Sequence, residues 1–201
     1  MENEMDKKRF SLRRVTVTAI MSAAAAVLML LEFSVPLVPS FLKFDFSDLP
    51  AVITSFALGP VWGVTVELIK NVINLAKTQT GGVGELANFI IGVSLVLPAG
   101  LVYKLKKDRA GALIGSIAGA VFASAISIPV NIFITYPVYA SLMGSEEKIL
   151  ALYRAILPSV ETLSQAIIIF NTPFTLVKGA VNVLITFLLY KRLSPVIKGT
   201  K

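Results

Sequence analysis

Neither cysteine nor histidine occurs in this chain of 201 residues. Without cysteine there is no disulfide and no thiol chemistry. Without histidine the commonest general base and the commonest zinc ligand are both missing. Acidic residues are sparse, with 12 Asp and Glu against 19 Lys and Arg. No two carboxylates sit at helical spacing within an apolar run, which argues against a proton relay. H-E-x-x-H, G-x-S-x-G and the P-loop signature are absent as well. The chain therefore has no recognisable means of hydrolysing ATP, no obvious catalytic base and no metal site.

What is abundant is apolar. The chain is 55% hydrophobic, with a mean hydropathy of +0.78. Long apolar runs alternate with short charged connectors. The expected fold is all-α: a polytopic membrane protein with its transmembrane helices in one bundle, a single domain over residues 1–201. The first run is long enough to span and no cleavage site stands out after it, so no cleavable leader is expected. The net charge of +7 is not a nucleic-acid footprint. The basic residues cluster in membrane-flanking connectors, where orientation signals sit.

In chain order, residues 1–14 are a polar lead carrying Lys7, Lys8, Arg9, Arg13 and Arg14. A first span follows over about 15–35, with Ala19 and Ala23 four apart. Small residues at that spacing admit a neighbouring helix closely, either from this chain or from a partner. The connector SFLKFDFSDLP at 40–50 interleaves Phe41, Phe44 and Phe46 with Lys43, Asp45 and Asp48. It suits a lid over a cavity, or a loop dipping phenylalanines into headgroups. Further spans are expected over about 49–58, 61–76 and 85–103. Glu67 and Lys70 are i, i+3 and positioned to pair. Gly82-Val-Gly84 opens a superficial nucleotide motif, but no strand precedes it. The fifth span starts at Ala110 and repeats small residues at Gly111, Gly115, Gly119 and Ala123, a packing face. Asn131 and Tyr136-Pro137 interrupt its outer part. Ser145-Glu146-Glu147 reads as the start of a short amphipathic helix ending at Pro158. Six spans put the basic clusters at 7–14, 104–109 and 191–201 on one side, with both termini cytoplasmic.

The last long apolar stretch, 163–190, carries the most information. Asn171, Thr175, Lys178 and Asn182 are spaced i, i+4, i+7 and i+11, so they share one helical face. A lysine at that depth costs roughly 2.5 kcal/mol or more. It faces a protein interior or a wet cavity, not lipid. Pro173 cannot donate to the carbonyl of Ile169, so a kink is expected there. The face is either a polar seam between helices or the wall of a ligand cavity. Asn88, Asn131 and Asn171 all fall near the outer ends of their spans, which favours one outward-opening pocket. Amides read both donors and acceptors, and phenylalanines stack on flat rings. Such a lining suits an amphiphilic, aromatic small solute.

Six segments in order resemble the riboflavin-binding S component of energy-coupling factor (ECF) vitamin transporters. They are KFDFSDLP at 43–50, FALGP at 56–60, VELIKN at 66–71, GELANF at 84–89, N-x-x-x-x-x-P at 131–137 and PFTLVKG at 173–179. The resemblance implies a six-helix, non-catalytic bundle in a prokaryotic cell membrane that captures riboflavin from outside. Riboflavin is then the transported ligand and not a cofactor. It implies two kinds of partner, a membrane T component and two ATP-binding subunits. It also assigns ligand contacts to Phe44, Asp45, Ser47, Asn88, Asn131, Thr175 and Lys178, and Asn171 joins them on spacing. Similar family members often carry Asn where Thr175 stands, so here a hydroxyl replaces an amide. Ala19 and Ala23 look like the family's surface for docking the T component. The alternatives are an S component for another vitamin, such as thiamine, and a self-sufficient channel or membrane enzyme. Thiamine is a cation, and Lys178 disfavours it.

Overall fold

The computed structural model describes residues 2–198, with side chains described over 12–189. The side chains of Lys7, Lys8 and Arg9, and the third basic cluster at 191–201, lie outside that range. The chain is helical nearly throughout. Its helices are α1 (Glu2–Leu30), α2 (Asp48–Leu58), α3 (Pro60–Asn74), α4 (Val83–Leu105), α5 (Arg109–Val130), α6 (Tyr136–Met143), α7 (Glu146–Arg154), α8 (Leu163–Ala166) and α9 (Thr172–Lys198). Two short strands, β1 (Phe33–Ser34) and β2 (Lys43–Phe44), pair antiparallel between α1 and α2.

Burial runs in the sense expected for a bilayer. Glu67, Lys70 and Asn182 are wholly buried, while Ile114, Val121, Leu184 and Leu188 are exposed. Water would reverse that distribution, and lipid favours it. Among the described residues, four continuous helical stretches are long and apolar enough to cross a membrane: Leu12–Leu30, Val83–Leu105, Arg109–Met143 and Leu163–Leu189. The eleven residues of α2 and fifteen of α3 reach only about 16 and 22 Å at 1.5 Å per residue, short of the ~30 Å hydrocarbon core. Their shortness has a local cause. The residues before α2 fold into the bundle instead of starting at its rim, so Asp48 through Phe56 are buried. At the other end Gly59 turns the chain at φ 111°, a conformation natural to glycine, and Pro60 starts α3.

Where Asn131 and Tyr136-Pro137 interrupt the apolar run, the helix itself continues. Residues Asn131–Thr135 form one π turn between α5 and α6. A second π turn, Ile167–Asn171, joins α8 to α9 just before Pro173. A π turn adds one residue to a helical turn and re-aims the side chains after it. Both turns carry an asparagine that faces the same cavity. The helix read from Ser145 is α7, whose N-cap hydroxyl accepts from the Lys148 N–H at 3.3 Å. The small-residue face of α5 packs on α4 as its spacing requires. A β-carbon on Gly115 would lie 2.6 Å from the Ala99 carbonyl oxygen, and one on Gly119 would overlap the Leu95 carbonyl.

Candidate ligand-binding site

A cavity of about 530 Å³ opens between the α1–α2 connector, α4, α5, α6 and α9. Asp45, Asn88, Asn131, Asn171, Thr175 and Lys178 all line it. Their helices come from distant parts of the chain, so the fold brings together what the spacing placed on separate spans. Phe44 and Ser47 do not line it. Phe44 lies behind the wall in a ring cluster, 5.5 Å from Phe33 and from Phe46 and 6.0 Å from Phe174 between centroids. Ser47 is fully buried and accepts from Lys70 Nζ at 2.9 Å.

The connector is fastened down by charge. Lys178 donates to Asp45 Oδ2 at 2.8 Å and lies 3.8 Å from Asp48 Oδ2. Lys70 lies 2.5 Å from Asp48 Oδ1 and 2.8 Å from Glu67 Oε2, the second at contact distance without hydrogen-bond alignment. Asn182 reaches Asp48 Oδ2 at 3.4 Å. Asp45 also accepts from the Ser47 N–H at 2.8 Å. Burial by itself would raise the Asp45 carboxyl, but the Lys178 and Lys70 ammoniums outweigh it and hold it near about 2. The pair at Glu67 and Lys70 was legible from spacing. That Asp48 joins it was not, because residues on a connector carry no helical register. Lys70, expected only as the partner of Glu67, thus meets the same connector as Lys178.

The opposite wall is aromatic. Asn171 donates to the Tyr136 hydroxyl and accepts from the Tyr153 hydroxyl, each at 2.6 Å. The two hydroxyls also bond each other, which closes a three-membered ring of hydrogen bonds. Burial holds the Tyr153 phenol above its ordinary range, so it stays a neutral donor. Phe41 sits edge-on to Tyr136, Tyr139 and Tyr153, at 5.9 to 6.3 Å. Tyr136 and Tyr139 line the cavity, and Tyr153 is fully buried behind them; by sequence Tyr136 stands out only as an interruption of an apolar run. Asn131 donates to the Ser127 carbonyl at 2.7 Å. Asn88 Oδ1 is buried and accepts no hydrogen bond from the protein, so it is an acceptor available to a solute. At the mouth Glu85 accepts from Thr78 at 2.8 Å and from Asn74 at 3.1 Å. Among the described residues no group of three or more acidic side chains is arranged for a metal ion.

Chemically, the cavity offers flat aromatic walls, an ammonium, amides and hydroxyls, and a rim where Glu32 and Glu85 sit beside Lys43 and Lys77. It is built to bind and holds no nucleophile–base pair. Away from it, Ala19 and Ala23 lie exposed on α1, while Thr18, Ser22 and Ala26 on the other face are buried.

Comparison with known proteins agrees. The chain is 30% identical over 186 residues to the riboflavin transporter RibU of Staphylococcus aureus, covering 92% of this chain and 93% of that one. It is 32% identical to the riboflavin transporter FmnP of Bacillus subtilis, covering 91% and 93%. A solved S component of a bacterial ECF transporter superposes with a TM-score of 0.73 at 30% identity, over 94% of this chain and 99% of that one. Residues 13–190 match the family described as the substrate-specific component of ECF transporters. This chain therefore belongs to the family of ECF transporter substrate-specific components.

Proposed function

We propose that this chain is the riboflavin-binding subunit of an ECF transporter, a transport component and not an enzyme. It captures vitamin B2 from outside and delivers it with a membrane T component and two ATP-binding subunits. The reading rests on relatives named as riboflavin transporters and on one observation above all. A buried lysine–aspartate pair ties the α1–α2 connector over a cavity of about 530 Å³, a volume within the usual range for small-molecule sites.

The 1–201 chain is one domain that crosses a prokaryotic plasma membrane six times, with α2 and α3 as the two short crossings and both termini in the cytoplasm. The basic connector at 104–109 and the Glu85 rim then lie on opposite sides. Asn88, Asn131, Thr175 and Lys178 meet the edges of the isoalloxazine ring system. Asn171, itself held by the buried Tyr153, fixes Tyr136 beside it. Asp45 positions the lysine, while Phe44 and Ser47 hold the connector closed from behind. Ala19 and Ala23 form the exposed small-residue strip on which the T component docks.

The test is direct. Protein purified in detergent from cells supplied with riboflavin is expected to be yellow, with flavin absorbance and quenched flavin fluorescence. Colourless protein that also fails to quench added riboflavin overturns the reading.

A further inference from the structure

A second concave surface lies on the lipid-facing side, in the seam between α5 and α9. It measures about 300 Å³, and Leu113, Ile117 and Val121 of α5 and Leu176, Leu184 and Phe187 of α9 form most of its walls. It is separate from the central cavity. Gly179 borders that cavity and packs against Ala120, which borders the groove, with a β-carbon at 179 meeting Ala120 at 2.9 Å. From Leu113 to Val121 the groove runs about 12 Å at 1.5 Å per residue. That approaches the depth of one leaflet, half of the ~30 Å core.

The chemistry at one end of this groove is specific. The Arg109 guanidinium lies 4.2 Å over the Phe187 ring, so a cation rests on the groove's own wall. Lys104, Lys106 and Lys107 precede it, all exposed. Among the described residues, the carboxylate in this stretch is Asp108. It caps α5 by accepting from the Gly111 N–H at 2.7 Å and lies 3.9 Å from Lys106. An apolar channel one leaflet deep that ends in an excess of positive charge has the form of an anionic amphiphile.

We propose that the α5–α9 groove binds one anionic phospholipid, its phosphate against Arg109 and an acyl chain along the seam. Arg109 suits this role because a planar guanidinium stacked on a ring still presents its N–H edge to phosphate. A helix from a partner protein would fill the apolar part but has no need of the cations.

Native mass spectrometry of the full-length chain tests this. Delipidated protein in mild detergent is offered equal amounts of phosphatidylglycerol and phosphatidylcholine with identical chains. One retained phosphatidylglycerol is expected, preferred by roughly fivefold for each basic residue engaged. Arg109→Gln is expected to reduce that preference about fivefold, and Arg109→Lys to fall between the wild type and Arg109→Gln, because the charge stays while the stacked guanidinium fork is lost. Ala180→Phe, or Ile117→Phe should the first not purify as a single species, fills the groove and removes retention of both lipids. Equal retention of the two lipids by the wild type, or an unchanged preference in Arg109→Gln, overturns the proposal. None of these outcomes depends on flavin binding.

Discussion

Lys178 of α9 and Asp45 of the α1–α2 connector meet at 2.8 Å although 133 positions separate them in the chain. The ion pair closes the wall of the cavity and holds the cation at its surface. Removing one partner of a buried pair strands the other, at a cost of about 3–5 kcal/mol. Lys178→Met is expected to lower both thermal stability and flavin affinity. Asp45→Asn is expected to be milder in stability, because Asp48 Oδ2 remains 3.8 Å from the ammonium. The double variant is expected to recover part of the lost stability without recovering affinity, since coupled sites do not add. Thermal unfolding and flavin titration on the same preparations separate the two effects. Strictly additive losses would contradict the pairing.

Truncating the amides and hydroxyl of the cavity is expected to affect binding more than folding. Asn131→Ala and Thr175→Val are each expected to weaken riboflavin binding by roughly 1–3 kcal/mol, as when a buried polar partner is left unpaired. Wild-type affinity in both would remove these residues from the contact surface.

Tyr153→Phe leaves Asn171 Oδ1 without its donor. A stability loss of about 1–3 kcal/mol is expected, read as a lower midpoint of thermal unfolding. Asn171→Leu, which removes both amide contacts at once, is expected to cost more. Should Tyr153→Phe unfold like the wild type, the three-residue ring contributes nothing net.

Gly92 faces the Glu67 carboxylate so closely that a β-carbon would overlap it. Gly92→Ala is expected to destabilise by roughly 1–3 kcal/mol through overpacking, and Glu67→Ala should relieve most of that cost. An equal penalty in both backgrounds would place the strain elsewhere.

The pH dependence follows from the same connector. Asp45 is held at about 2 against an ordinary 3.8. A depressed carboxyl contributes stability above its unfolded value and loses it as pH falls toward the folded one. The latch is therefore fully formed at neutral pH and weakens only below about pH 4. The chain also lacks histidine, the side chain that ordinarily titrates between about pH 5 and 8. Flavin affinity is expected to stay flat over that range, checked by titration at several pH values. A sharp loss near pH 6 would require a different switch.

Much of this was readable before any coordinates. A four-residue polar face in an apolar stretch fixed where Lys178 had to point, because helical spacing is rigid and lipid penalises charge. That α5 has a close-packing face was visible in Gly111, Gly115 and Gly119 for the same reason, though not that α4 is what packs there. The connector was harder. Phe44, Asp45, Ser47 and Asp48 sit within five positions, yet two of them line the cavity and two support it from behind. Irregular backbone has no period from which to read a direction. The tyrosine wall escaped for a related reason. Tyr136 follows a π turn, and an added residue in the helix shifts every later side chain out of the register that a regular helix implies.

The most direct measurement is a fluorescence titration of riboflavin with the detergent-purified wild type and with Lys178→Met. Saturable quenching with one flavin per chain is expected for the wild type, and a clear loss of affinity for the variant. Flavin emission that stays unchanged as folded wild-type protein is added, or identical curves for the two proteins, would contradict the proposed function.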